Sequence, residues 1–304
     1  MMNKAHPKYD ENFLALRPEP TAGDGQYEYF TCKDGTKLFV QYWLPDKGPV
    51  ERVLLCMHGM SAHGWYYSLT ADALVPHGVA VYVPDYRSHG LSDGHPGHLS
   101  DGIILVEDIA ELSEHIMARH PGARLFVLGE SLGGAVNVNF NIDHPGKAAG
   151  MILLAPAIKP AMKFSLRDFI KIPFYLLAFL ISRSWRVVKV TGDEHRGMRN
   201  KDNIVYDQND PLHLKYVSTA YMMAVKKLLD RAAKIGAASI KTPALIFQGG
   251  MDVAVSAAAT KQFFENLASE DKTFKFYPEA FHCMQTDSGC ADMRDIIRDW
   301  LLAR

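Results

Sequence analysis

Arg124-Leu125-Phe126-Val127-Leu128-Gly129-Glu130-Ser131-Leu132-Gly133-Gly134 is the stretch on which the reading of the chain turns. The run from Arg124 to Leu128 has the length and composition of a buried strand, and Leu132 to Ile142, rich in small residues and free of proline, has those of a helix. Strand, tight turn and helix are therefore continuous, with a single serine at the turn. Glycines two before and two after Ser131 let the backbone turn sharply and pack closely, so that the serine Oγ stands clear at the head of the helix. The helix N-terminus then favours negative charge nearby. Ser131 is accordingly the candidate nucleophile, and a serine that only caps a helix is the plainer alternative.

The flanking sequence alternates in the same way. Tyr27 to Cys32 and Leu38 to Trp43, joined by Lys33-Asp34-Gly35-Thr36, predict a hairpin and an antiparallel start to the sheet. Arg52 to Met57 is a nearly continuous apolar strand, as expected where both faces are covered, and it stops at His58-Gly59-Met60-Ser61. Helical spacing follows from Trp65 to His77, then a buried strand from Val79 to Val83 and a turn-rich segment from Asp85 to Gly94. Ile103 to Arg119 places Leu105, Ile109, Leu112 and Ile116 on one face and predicts an amphipathic helix. Ala148 to Leu154 is another buried strand. The alternation implies an α/β fold with a mostly parallel central sheet and helices on both faces. From Ala157 to about Ala238 the rhythm breaks: no strand is expected, and prolines stand at 160, 173 and 211. It resumes with a strand from Thr242 to Gln248, a helix from Ala257 to Leu267, a strand from Thr273 to Tyr277 and a helix from Met293 to Leu302. The expected organisation is a core in two parts, 1–156 and 239–304, with an inserted helical cap, 157–238, over the carboxyl ends of the strands.

Composition narrows the partners. With 304 residues, 48% of them hydrophobic, the chain can bury a large core. Its 33 Lys and Arg against 34 Asp and Glu leave a net charge of -1 without a basic block, so no nucleic-acid partner is expected and a neutral or apolar small molecule suits the balance better. Met1 to Leu16 carries Lys4, Lys8, Asp10 and Glu11 without an apolar core, so no secretion signal is expected and a cytoplasmic place follows. Cys32, Cys56, Cys283 and Cys290 show no paired metal spacing and are read as reduced thiols. The apolar run from Ile170 to Ile181, broken only by Lys171, falls short of the roughly 20 residues of a membrane span. It has two readings: a buried cap helix, or a partly exposed apolar lip for a lipid chain or a membrane surface, which would add a peripheral membrane contact.

A serine hydroxyl is a poor nucleophile at its own pKa and needs a base, with a third group to orient that base. The elbow resembles that of the α/β-hydrolases, and in their order the acid and then the histidine follow the serine along the chain. Four histidines lie downstream, at 144, 195, 213 and 282, and only His282 stands just beyond a strand near the C-terminus. Asp252, in the turn after Leu245-Ile246-Phe247-Gln248, is the favoured acid, with Asp271 and Glu279 as rivals. A tetrahedral oxyanion needs two preorganised donors. The Leu132 N–H is one, and the Met60 N–H, in the loop after the strand ending at Met57, is the other, with His58 expected to orient that loop. His89, His95 and His98 lie in a glycine-rich loop without helical pairing, and a metal there is disfavoured. No cofactor is expected.

Together, His58-Gly59, Asp85-x-Arg87-x-His89-Gly90-x-Ser92-x-Gly94, Gly129-x-Ser131-x-Gly133-Gly134, Asn209-Asp210-Pro211-Leu212, Gly249-x-x-Asp252 and Asp271 to Tyr277 leading to His282 resemble the monoacylglycerol lipase and lysophospholipase-like branch of the α/β-hydrolases. The likeness runs from about Leu38 to Leu302. It implies cofactor-free hydrolysis of carboxylic esters of one acyl chain, admitted through a mobile apolar cap, with Ile170, Phe174 and Leu177 against the chain. The residue before the serine departs from the animal monoacylglycerol lipases, which resemble one another in having histidine there; Glu130 is similar instead to plant-like and some bacterial members. The same fold also hosts peptidases, thioesterases and carbon–carbon bond hydrolases, and Glu130 could serve a peptidase by holding a substrate amine. A non-catalytic binding protein is disfavoured, since no member of the Ser-His-Asp set is missing. Epoxide hydrolysis or dehalogenation would want an aspartate where Ser131 stands.

Overall fold

The structure, a computed structural model, describes residues 25–161, 166–190 and 197–304, without the side chains of 166–171. Eight strands form one sheet in the order β1-β2-β4-β3-β5-β6-β9-β10. They are β1 Gln26–Thr31, β2 Lys37–Trp43, β3 Arg52–Met57, β4 Val79–Pro84, β5 Arg124–Glu130, β6 Gly150–Leu154, β9 Ala244–Gly249 and β10 Lys272–Tyr277. The expected hairpin is present: β1 pairs antiparallel with β2, and Asp34 Oδ1 accepts the Thr36 N–H at 2.9 Å to close the turn. β2 also runs antiparallel to β4, and every later pairing is parallel. All residues of β4, β6 and β9 are buried, which is why these strands read as unbroken apolar runs rather than as alternations. Helix Ile103–Arg119 keeps the expected bounds and buries Leu105, Ile109, Leu112 and Ile116 completely.

Between β6 and β9 the chain leaves the sheet. The described part of that excursion holds helix Leu166–Ile181, β7 Arg186–Lys189, helix Lys201–Asn209, β8 Tyr216–Ser218 and helix Thr219–Arg231. Here the sequence expectation of no strand is corrected, because β7 and β8 pair antiparallel in a small sheet of their own. At four and three residues they are too short to show a two-residue periodicity, and only the return of a distant segment pairs them. The apolar run is also not a buried helix. Phe174, Leu176, Leu177, Leu180 and Ile181 are each more than half exposed, while the small Ala178 is buried. A helix apolar on nearly every side has more hydrophobic surface than one layer of neighbours can cover. Its twin reading, the exposed apolar lip, is the one that fits.

Parallel strands end on one edge of a sheet, so β3, β5, β9 and β10 deliver the His58 loop, Ser131, Asp252 and His282 to the same side.

Candidate active site

The elbow follows from steric necessity. Ser131 sits between β5 and helix Leu132–Asp143 with φ 55° and ψ -116°, a conformation that costs an L-residue about 1–3 kcal/mol. Backbone hydrogen bonds hold it there: its N–H donates to Leu154 O at 3.0 Å, and its carbonyl accepts from the N–H groups of Gly134 and Ala157, each at 2.9 Å, and of Ala135 at 3.3 Å. The turn is so tight that a Cβ on Gly129 would lie 2.1 Å from Gly133 O, and one on Gly133 2.0 Å from Met57 O. Both glycines are therefore dictated by close backbone approach.

Around this serine the side chains form one line. His282 Nε2 lies 2.9 Å from Ser131 Oγ, and His282 Nδ1 lies 2.8 Å from Asp252 Oδ2. The Asp252 carboxylate is wholly buried and accepts further bonds from the backbone N–H groups of Ala254 and Val255 and from Gln248 Nε2. Burial works to raise its pKa, yet the His282 contact and the two backbone donors outweigh that and hold it below the ordinary aspartate value. In the same way burial pulls His282 down, and the Asp252 hydrogen bond and the charges of Asp252 and Glu130 lift it above the ordinary histidine value. The imidazole is thereby fixed with a proton on Nδ1 and a basic Nε2 toward the serine. The rivals for the acid fall elsewhere. Asp271 stands at the start of β10, away from the edge that carries His282, and pairs with Arg304 at 2.6 Å, while Glu279 is exposed.

The loop after β3 is held with equal care. The Tyr86 N–H donates to His58 Nε2 at 3.1 Å, so the His58 proton is on Nδ1, 2.8 Å from Gly59 O. Burial depresses the pKa of His58 far below its ordinary value, in keeping with a neutral ring. The three histidines weighed as metal ligands do not converge: His89 Nε2 faces Met60 O at 2.9 Å, and His98 Nδ1 faces Ser218 Oγ at 2.9 Å. Glu130, weighed as an anchor for a substrate amine, turns Oε1 to the Gln285 N–H at 3.4 Å, and burial pushes its pKa up to about 7. Beside the His282 loop lies a cavity of about 180 Å³ whose walls include Trp65, Met198, Asn203, Tyr206 and Thr286. Sequence reasoning missed Gln248 as a support of Asp252, and it missed His213 and Tyr221 beside the Met60 loop. Gln248 stands only four residues before Asp252, but its place in a buried strand hides the contact, while the partners of His213 and Tyr221 lie far away in the chain.

The family model described as serine aminopeptidase, S33 matches residues 48–289, which include the elbow, Asp252 and His282. The chain belongs to this family. It is a serine hydrolase of the α/β-hydrolase superfamily. Human monoglyceride lipase is 26% identical over 258 residues, covering 84% of this chain and 82% of that one. Monoacylglycerol lipase from Mycolicibacterium smegmatis is 25% identical over 275 residues, 90% of this chain and 96% of that one. In fold the chain is similar to a soluble variant of monoglyceride lipase from Saccharomyces cerevisiae, with a TM-score of 0.80 over 93% of this chain and 97% of that one at 19% identity.

Proposed function

We propose that the protein hydrolyses carboxylic esters of a single acyl chain, of the monoacylglycerol or lysophospholipid kind, through an acyl-enzyme on Ser131. The observation that carries this reading is the unbroken hydrogen-bonded line from Ser131 Oγ through His282 to the buried Asp252. Ser131 Oγ attacks the ester carbonyl as His282 Nε2 takes its proton, and Asp252 steadies the imidazolium that forms. The backbone N–H groups of Met60 and Leu132 receive the oxyanion, each worth a few kcal/mol of barrier. His282 returns the proton to the leaving alcohol, then activates water to release the acid. No cofactor enters this scheme.

The residues 157–238 serve as the cap. Ile170, Phe174 and Leu177 are assigned to the acyl chain; the side chain of Ile170 lies outside the described residues. Phe174 and Leu177 are 58% and 56% exposed, so they meet an incoming chain at the surface rather than wall a closed tunnel. The same exposed face suits brief contact with a lipid surface from the cytoplasmic side. Among the described residues no helix is long and apolar enough to cross a membrane.

The ester reading is tested by release from matched p-nitrophenyl esters, anilides and thioesters of one acyl group, with wild type beside Ser131→Ala. Esters are expected to turn over fastest, with the variant inactive. Faster release from the anilide would replace the ester reading with an amidase.

A further inference from the structure

Three successive carbonyl groups of the loop after β3 are each held, the first from within the loop and the next two from outside it. Gly59 O faces His58 Nδ1 at 2.8 Å. Met60 O faces His89 Nε2 at 2.9 Å and accepts from the Tyr221 hydroxyl at 3.2 Å. Ser61 O accepts the Leu214 N–H at 2.9 Å, and Ser61 Oγ lies 2.7 Å from His213 Nε2. Nearby, His63 Nε2 lies 2.8 Å from Asp210 Oδ2, both side chains being buried. His213, Leu214 and Tyr221 belong to the excursion between β6 and β9, as does Asp210 of the Asn209-Asp210-Pro211-Leu212 segment.

We infer that Tyr221 and His89 are positioning residues for the oxyanion-binding loop, so that the inserted segment builds part of the catalytic apparatus as well as covering it. The inference rests on the reading of the Met60 N–H as an oxyanion donor. A peptide unit is planar, so the Met60 N–H points opposite to Gly59 O, which His58 fixes. The Gly59 O contact sets the direction of that N–H, and the anchors on Met60 O and on the Ser61 carbonyl and hydroxyl set where the Met60 end of the plane sits, so the donor is held in position as well as in direction. Tyr221 is fully buried and touches the loop through its hydroxyl, whose other neighbour, His89 Nε2, is 3.0 Å away in the same cluster.

Tyr221→Phe keeps the ring and removes only this hydroxyl. It is expected to lower kcat about tenfold, leave KM within about twofold and weaken an alkyl boronic acid, which mimics the tetrahedral oxyanion, by the same factor as kcat. Wild-type kcat and boronate affinity would overturn the inference, as would a raised KM at unchanged kcat, which marks a substrate-packing residue. Should Tyr221→Phe fail to fold, Ser61→Ala carries the test, with a parallel loss of kcat and boronate affinity expected and no change overturning the inference. Ser131→Ala is run beside them: its survival as an active enzyme defeats the underlying reading, whereas an inactive Ser131→Ala with an unaffected Tyr221→Phe defeats only this inference.

Discussion

In the proposed mechanism His282 works through its protonation state. Only the neutral ring can accept the Ser131 proton, and Asp252 and Glu130 together raise its pKa above the ordinary 6.5 against the opposing effect of burial. The acid limb of kcat/KM is therefore expected above pH 6.5, with activity lost as pH falls through it. Glu130→Gln removes one of the charges that favour the imidazolium, so the limb should move to lower pH; a pH profile that matches wild type would show that this carboxylate does not reach the ring. Asp252→Asn should lower kcat by about 10³–10⁴ with little change in thermal stability, because the imidazole loses its tautomer along with its counter-charge. Glu130 stands one position before the candidate nucleophile and was legible as a departure from the pattern. Its engagement with the Gln285 N–H was not, since that backbone group becomes its neighbour only when the His282 loop folds back on the elbow.

At the scale of the element, the elbow is the least forgiving part. Gly133→Ala would push a methyl to 2.0 Å from Met57 O, where backbone rather than a flexible side chain must yield. A loss of about 3 kcal/mol or more is expected, seen as a lower urea midpoint, and an unchanged midpoint would refute the close approach. The elements that could be read in advance were the ones whose burial is set locally. β3 and helices Ile103–Arg119 and Met293–Leu302 have the bounds their patterns predict, because an unbroken apolar run or an amphipathic stripe shows how each faces the core. β7 and β8 carry too few residues for any pattern, and the exposure of helix Leu166–Ile181 depends on how little packs against it. That exposure gives a separate prediction. The double replacement Leu176→Ser and Leu180→Ser should reduce sedimentation with phosphatidylcholine vesicles roughly tenfold while leaving hydrolysis of a short soluble ester within about twofold. Equal sedimentation would remove the lipid-contact role from this helix.

For the whole molecule, the sheet and the excursion divide the work. The sheet brings Ser131, Asp252 and His282 to one edge from strand ends far apart in sequence, and this much followed from alternation, turn residues and the chain order that the likeness to α/β-hydrolases implies. The excursion between Leu154 and Ala244 was recognisable as an interruption, but its attachment to the Met60 loop through Asp210, His213 and Tyr221 depends on pairings between segments about 150 residues apart, which no local pattern records. The central claim, a serine ester hydrolase for single acyl chains, is tested most directly by turnover of glycerol monoesters from short to long acyl groups by wild type and Ser131→Ala. Rising turnover toward the longer chains, with no turnover by the variant, is the predicted result. Turnover by Ser131→Ala at the wild-type rate, or none by wild type on any glycerol monoester, would contradict it.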